Sequence, residues 1–311
     1  MTAPSEVQAP RNAVERPPAL DLGLLIIAVS AVSTSGPLIA AASAPALAIA
    51  FWRNALASGL LWPIALVRAR EELRRLTRRE LLLALCAGAF LAAHFGTWVP
   101  SLRYTSVASA TALVATQPIW NGLIARGLGH HIPRRAWIGV GIAVVGAAAV
   151  SGADFSASAR ALGGDMLALA GAILAALYVA VGGEVRRSVS TTAYTTVCYT
   201  TAALLLLIVC LAGGLHLSGY SGKTWLQLAA LTVGPQLLGH SVINRVLSTT
   251  PATVVSLAIL FEVPGAAFVA WVALGQHPRA SILPGIALLL AGLAVVVSGR
   301  TPDVEPAVPV E

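Results

Sequence analysis

The chain has 311 residues, of which 57% are hydrophobic and 11% charged, and its formal charge is +7. Water-soluble domains carry about 25% charged residues, so a lipid bilayer rather than water is the main solvent here. The basic residues are confined to short segments between apolar runs, which speaks against nucleic acid as a partner and for a membrane orientation signal.

The first 19 residues are polar and Pro-rich and read as a disordered tail. The apolar run after them is too long for a signal-peptide core and lacks a small-residue cleavage site. Helices are then predicted at 21–40, 44–67, 80–102, 106–126, 136–152, 164–183, 192–213, 225–246, 251–274 and 281–299. Each has the length needed to cross a hydrocarbon layer of about 30 Å. Pro133 and Pro278 stand where helices begin, and Gly163–Gly164, Gly182–Gly183 and Gly213–Gly214 punctuate helix ends. Asp21 and Asp165 open the first helix of each half as N-terminal caps. Cys86, Cys198 and Cys210 lie inside apolar runs, with neither metal-ligand nor disulfide spacing. Residues 300–311 form a second Pro-rich tail.

Sliding the sequence by 146 positions aligns His94 with His240, Pro118 with Pro264, Gly129 with Gly275, Gly139 with Gly285 and Gly146 with Gly292. This ungapped coincidence implies a duplicated five-helix unit, residues 20–152 and 164–299, joined by a polar linker at 153–163. An odd number of crossings per unit forces the second copy into the membrane from the opposite side. The expected fold is therefore all-α: a polytopic membrane protein of ten transmembrane helices in two inverted repeats, packed around a shared central cavity. With a cytoplasmic N-terminus, 15 of the 20 basic residues fall inside, among them Arg11, Arg16, Arg245 and Arg300 and the runs Arg68–Arg79, Arg126–Arg135 and Arg186–Arg187. Arg103, Arg160, Lys223 and Arg279 fall outside. This bias places both termini in the cytoplasm. The Ala- and Arg-rich composition with one lysine fits the inner membrane of a bacterium. Small residues in the fifth and tenth helices suit close packing in the bundle, with a homodimer contact as the second reading.

Polar side chains at membrane depth are costly and need a reason. Glu262 is the one carboxylate near the middle of a predicted helix, and Arg53 lies in the second helix; the two are expected to pair or to share a substrate. His94 and His240 are repeat mates. His94 shares a face with Trp98, and His240 stands between Gln236 and Asn244 in a polar stripe at spacings of four. Pro118 and Pro264 bend the fourth and ninth helices and free carbonyls beside a cavity. Gln117, Asn121 and Trp120 surround the first bend, and Tyr199 continues a Thr-rich face of the seventh helix. Together these residues predict a pocket with aromatic walls, built from helices two, three, four, seven, eight and nine. No phosphate loop, Ser-His-Asp order or His-Glu-x-x-His pair occurs, so no catalytic residue, metal or cofactor is expected.

These residues carry a resemblance to a known family. Phe51-Trp52-Arg53, Tyr104 to Ala110, Gln117-Pro118-Ile119-Trp120, Leu128-Gly129 and Trp137 to Gly146 recur in order. In the second half Ala252 to Leu257, Phe261 to Pro264, Ala270 to Gly275 and Pro284 to Gly292 follow at matching spacing. From residue 21 to 299 the chain resembles the drug/metabolite transporter superfamily, in particular its EamA-type members. Two departures stand out: Gly129-His130 and Gly275-Gln276 replace the usual Gly-Glu, and Glu262-Val263-Pro264 replaces Glu-Pro. The resemblance implies a permease working by alternating access on a small-molecule substrate. It also implies an exporter of small polar or amphipathic metabolites such as amino-acid-like compounds or drugs; Glu262 and the histidine pair add the expectation of proton coupling. Arg53 is expected to attract an anionic substrate group. A membrane-embedded enzyme on lipid-linked substrates and a non-transporting sensor are the alternatives.

Overall fold

The computed structural model describes residues 18–105, 107–129, 132–152, 158–250, 252–275 and 283–297. The predicted tails, apart from their inner edges, the centre of the linker, and His130, Gln276, Pro278, Arg279 and Arg300 lie outside these residues. The described residues form helices and turns, with no strand among them.

In chain order the elements are α1 (Ala19–Val32), α2 (Ser35–Ala41), α3 (Ala46–Arg68), α4 (Arg70–Arg75), α5 (Arg78–Ser101), α6 (Val107–Val114), α7 (Gln117–Gly127) and α8 (Arg134–Gly152). The second half holds α9 (Ala159–Val185), α10 (Thr191–Ala212), α11 (Gly222–Leu231), a π-helical segment (Thr232–Ser241), α12 (Val242–Val246), α13 (Ala252–Ile259), α14 (Glu262–Leu274) and α15 (Leu283–Val297). Five paths are long and apolar enough to span a bilayer by length and composition: Ala19–Ala41, Ala46–Arg68, Arg78–Ser101, Ala159–Val185 and Thr191–Ala212. Leu257–Ala273 and Leu283–Gly292 are shorter apolar helices. Their outward faces are apolar, as Leu66, Val67, Ile208, Leu211 and Val272 show, which lipid tolerates and water does not.

The duplication is visible in the backbone. Allowing for the 146-residue offset, the α6–α7 break lies within one residue of the α13–α14 break. At both, the chain tightens from four-residue to three-residue bonding: Thr116 N to Leu113 O and Ile119 N to Thr116 O in the first, Leu260 N to Leu257 O and Val263 N to Leu260 O in the second. Pro118 and Pro264 sit in the first turn after the break, where a missing N–H costs least, so each starts a new helix rather than bending a continuous one. Gly129 and Gly275 then end α7 and α14 with positive φ, 84° and 66°. L-residues with a Cβ avoid that conformation.

The most extensive contacts cross between the halves: α5 with α9, α8 with α15, α10 with both α3 and α5, and α1 with the π segment. Neither half could bury its inner faces alone. The α8–α15 contact uses the small-residue stripes directly, since a Cβ on Gly292 would lie 2.5 Å from Gly139 O and 2.6 Å from Ala143 N. On one face of the bundle, α4 and the start of α5 are tied to the α9–α10 turn. Glu72 accepts from Ser190 N and Oγ, both at 2.5 Å, Glu80 accepts from Ser188 Oγ at 2.6 Å, and Arg79 pairs with Glu184 at 3.0 Å. Thr77 and Glu80 also form a reciprocal cap at the start of α5. At the other end, Arg103 donates to Ala42 O and Ala44 O, and Trp52 Nε1 to Leu217 O.

Candidate functional site

A cavity lies where the two broken helices meet α1–α2, α5, α9 and the π segment with α12. Its polar wall is formed by Ser35, His94, Gln117, Tyr178, His240 and Glu262, with the indole of Trp98 beside them. Val32, Val114, Val179, Ile243 and Ile259 complete the wall as apolar surface. Both halves contribute, and each of the two mated histidines reaches the cavity. The contributing paths differ from those expected: α1–α2 and α9 line the cavity, whereas α3 and α10, predicted to do so, stand one layer behind it. Ala175 on the cavity wall, with Ala168, Gly171 and Ala172, makes α9 narrow enough to approach; a Cβ on Gly171 would already lie 3.1 Å from Trp98 Cβ.

Gln117 and Glu262 reach the cavity because each is the first residue of a helix that starts inside the bundle. The N-terminal dipole of α14 favours a negative charge at Glu262. Glu262 is half-buried and forms no ion pair with Arg53, whose Nε and Nη1 donate elsewhere.

Arg53 itself is fully buried. Its Nε donates to Gln236 Oε1 at 2.8 Å and its Nη1 to Ser35 Oγ at 3.2 Å, while its guanidinium carbon lies 4.1 Å over the Phe95 ring. Among the described residues Nη2 has no hydrogen-bond partner. Gln236 is fixed in turn by donating to Asn54 Oδ1 at 3.1 Å, and Asn54 by donating to Ala50 O at 2.8 Å. Arg53 therefore stands behind the wall, with Ser35 between it and the cavity.

The polar stripe expected on one face of the eighth helix is opened out by the π segment. Pro235 has no N–H to donate, and the wider turn leaves the Gln236 carbonyl to accept from Ser241 Oγ at 3.3 Å and Tyr199 Oη at 3.4 Å. Gln236 turns to Arg53, His240 to the cavity, and Asn244 to Tyr178, whose Oη lies 2.9 Å from Asn244 Oδ1 and 2.7 Å from Nδ2. Tyr199 is buried in this same network. Trp120 lies away from the cavity wall and donates to Thr116 Oγ1 at 3.2 Å across the first break.

His94 donates from Nδ1 to Gly171 O at 2.9 Å and stacks on Trp98, with ring centroids 5.9 Å apart and planes 6° from parallel. Phe95 and Tyr178 meet the His240 ring edge-on at 5.4 and 6.2 Å. The Trp98 indole N–H is buried and has no acceptor among the described residues. Of the ten side chains predicted for the site, the cavity gathers His94, Trp98, Gln117, His240 and Glu262. Arg53, Gln236, Asn244 and Tyr199 form a supporting layer. Ser35 and Tyr178 were not anticipated: Ser35 sits in a Ser-Thr-Ser-Gly run that reads as a helix break, and Tyr178 is an isolated aromatic in an Ala-rich helix.

A family model described as the EamA-like transporter family matches residues 21–152 and again 162–298, once for each half. A protein of known crystal structure superposes with a TM-score of 0.74 at 18% identity, covering 89% of this chain and 97% of that one, a likeness of fold. Among curated proteins, none matches the chain.

Proposed function

The chain belongs to the EamA-like transporter family, a multi-pass membrane protein by its apolar helices, and from that premise we propose that it is a ten-helix permease moving small polar or amphipathic metabolites by alternating access. The ten crossings are α1–α2, α3, α5, α6–α7, α8, and their mates α9, α10, α11–α12, α13–α14 and α15, in two inverted repeats. The observation that carries this reading is the cavity at the two matching helix breaks, with wall residues from both halves. Inverted repeats that share such a site can expose it to either side by rocking. Both termini face the cytoplasm of a bacterial cell, and the direction is outward.

In this reading Glu262 carries the coupling proton or a substrate cation. His94, Trp98, Gln117 and His240 form the substrate wall. Arg53, held by Gln236, sets the field at Glu262, while Tyr199, Asn244 and Trp120 hold the wall in place. Reconstituted into liposomes, the protein should show saturable flux of a component of a cell metabolite extract, and a proton gradient should drive uptake into inverted vesicles. Glu262→Gln should abolish that drive; an unchanged pH dependence would remove Glu262 as the coupling group. Single cysteines at Arg74 and Lys223 should be labelled from opposite sides of the membrane, and labelling from one side would overturn the topology.

A further inference from the structure

We propose that the inner ends of α9 and α12 form a binding site for a phosphate group, with Arg186 at its base and Arg245 at its rim, and that an anionic phospholipid of the inner leaflet supplies it; only the word inner rests on the topology proposed above. Arg186 is 6% exposed, and its Nε is pinned by donating to Asn244 O at 2.9 Å. Its Nη1 and Nη2 make no hydrogen bond or ion pair among the described residues, yet neither is sealed from the surface. A guanidinium held at one nitrogen presents the rest of its planar fork, which matches two oxygens of a phosphate at a time. Arg245 follows Asn244 directly in α12 and is exposed, its Nη1 donating to Ser248 Oγ at 3.2 Å. Burial, and then the Arg245 guanidinium, hold Arg186 below the usual range of an arginine. Two cations that repel each other across a gap are both stabilised by an anion between them.

The acids at this end of the bundle are engaged elsewhere. Glu72, whose charge reaches Arg186, is taken up by Ser190 N and Oγ. Glu184 pairs with Arg79 at 3.0 Å and with Arg187 at 2.7 Å. Glu80 accepts from Ser188 and Thr77, and Asp21 from Thr249 and Thr250. Among the described residues no ion pair reaches Arg186 or Arg245. The place favours a lipid over a soluble anion. Arg186 follows the span Ala159–Val185 immediately and so stands at headgroup depth. In the path leading to Arg245, Val233 is 52% and Leu238 48% exposed, apolar surface for an acyl chain. Basic side chains between helices at the cytoplasmic edge of a membrane are where anionic headgroups dock.

The test uses two lipids with equal chains and different net charge, dilauroylphosphatidylglycerol and dilauroylphosphatidylcholine. Binding to the purified full-length protein in detergent is read by native mass spectrometry. One arginine beside an anionic lipid is worth about fivefold in binding, so the glycerol lipid should bind about 25-fold more tightly than the choline lipid. Arg245→Gln should cut that preference about fivefold, and Arg186→Gln with Arg245→Gln should erase it. Arg74→Gln with Arg75→Gln removes two exposed charges from the same end of the bundle and should leave it intact. Size-exclusion profiles matching the parent protein establish that the variants are folded, and the exposed Arg245 carries the test if the Arg186 variant does not fold. Equal binding of the two lipids, a preference that survives in Arg186→Gln with Arg245→Gln, or one lost as fully in Arg74→Gln with Arg75→Gln overturns the inference. Inorganic phosphate in excess should leave the glycerol lipid bound; displacement would overturn the lipid as the source and assign the site to soluble phosphate. None of these readouts depends on transport. The permease reading fails separately, if no component of a metabolite extract crosses reconstituted liposomes.

Discussion

Replacing Gln236 by leucine should destabilise the protein far more than its neutral side chain suggests, because Gln236 holds a buried cation. The change removes the acceptor of Arg53 Nε, 2.8 Å away, beside an Nη2 that already lacks a partner. Breaking one side of a buried charged contact costs about 3–5 kcal/mol. It also strips Asn54 Oδ1 of its donor at 3.1 Å, which adds about 1–3 kcal/mol. A total of about 5 kcal/mol, at roughly 2 °C per kcal/mol for a chain of this size, lowers the thermal midpoint by about 10 °C. Arg53→Met leaves only neutral groups unpaired and should cost less. The double variant Arg53→Met with Gln236→Leu replaces both partners by apolar groups of similar shape and should recover most of the loss, a coupling of about 2 kcal/mol or more. The assay is the monodisperse fraction in detergent after heating at one fixed rate, compared across the four proteins, since unfolding here is read as a rate. Losses that simply add, or a Gln236→Leu protein as stable as its parent, would refute the idea that this glutamine anchors the charge.

Gly292→Leu should abolish a monodisperse species on size-exclusion chromatography, because even a Cβ there would lie 2.5 Å from Gly139 O and the α8 and α15 backbones would have to part. Asp21→Ala should lower the thermal midpoint, since Thr249 and Thr250 donate to the same carboxylate oxygen at 2.6 and 2.9 Å; Asp21→Asn keeps an acceptor and should lose much less. Glu80→Ala should lower the thermal midpoint, since Ser188 Oγ donates to its carboxylate at 2.6 Å and Thr77 N and Oγ1 at 2.9 and 2.8 Å; Glu80→Gln keeps an acceptor and should lose less, and equal losses in the two variants would remove Glu80 from the tie between α5 and the α9–α10 turn.

The sequence shows most of the helices because lipid demands long apolar runs, and it shows the duplication because Pro, Gly and His recur at fixed spacing. Pro118 and Pro264 mark both breaks, though as helix starts rather than bends: nothing in their residue type tells a first-turn proline from an interior one. Which helices face the cavity is much less legible. In water a polar side chain marks an exposed face, but in a bilayer Arg53 pairs with Gln236, Asn244 pairs with Tyr178, and all three charged or amide groups disappear into the layer behind the wall. The wall itself is drawn in part from Ala175 on the Ala- and Gly-rich α9, whose small residues announce close approach and say nothing about what they approach. The π segment is hidden for a related reason. Its geometry depends on Tyr199, from another helix, capping the Gln236 carbonyl, and no local pattern in residues 232–241 encodes that contact.

The exchange of partners between the halves bears on how the protein comes to be made. Because α8 packs on α15 and α5 packs on α9 and α10, the first half emerges during translation with its best surfaces still unmatched. Domains usually mature in the order in which they are synthesised. Here the early helices wait in the lipid as a loose set until the second half arrives, and assembly becomes a late event.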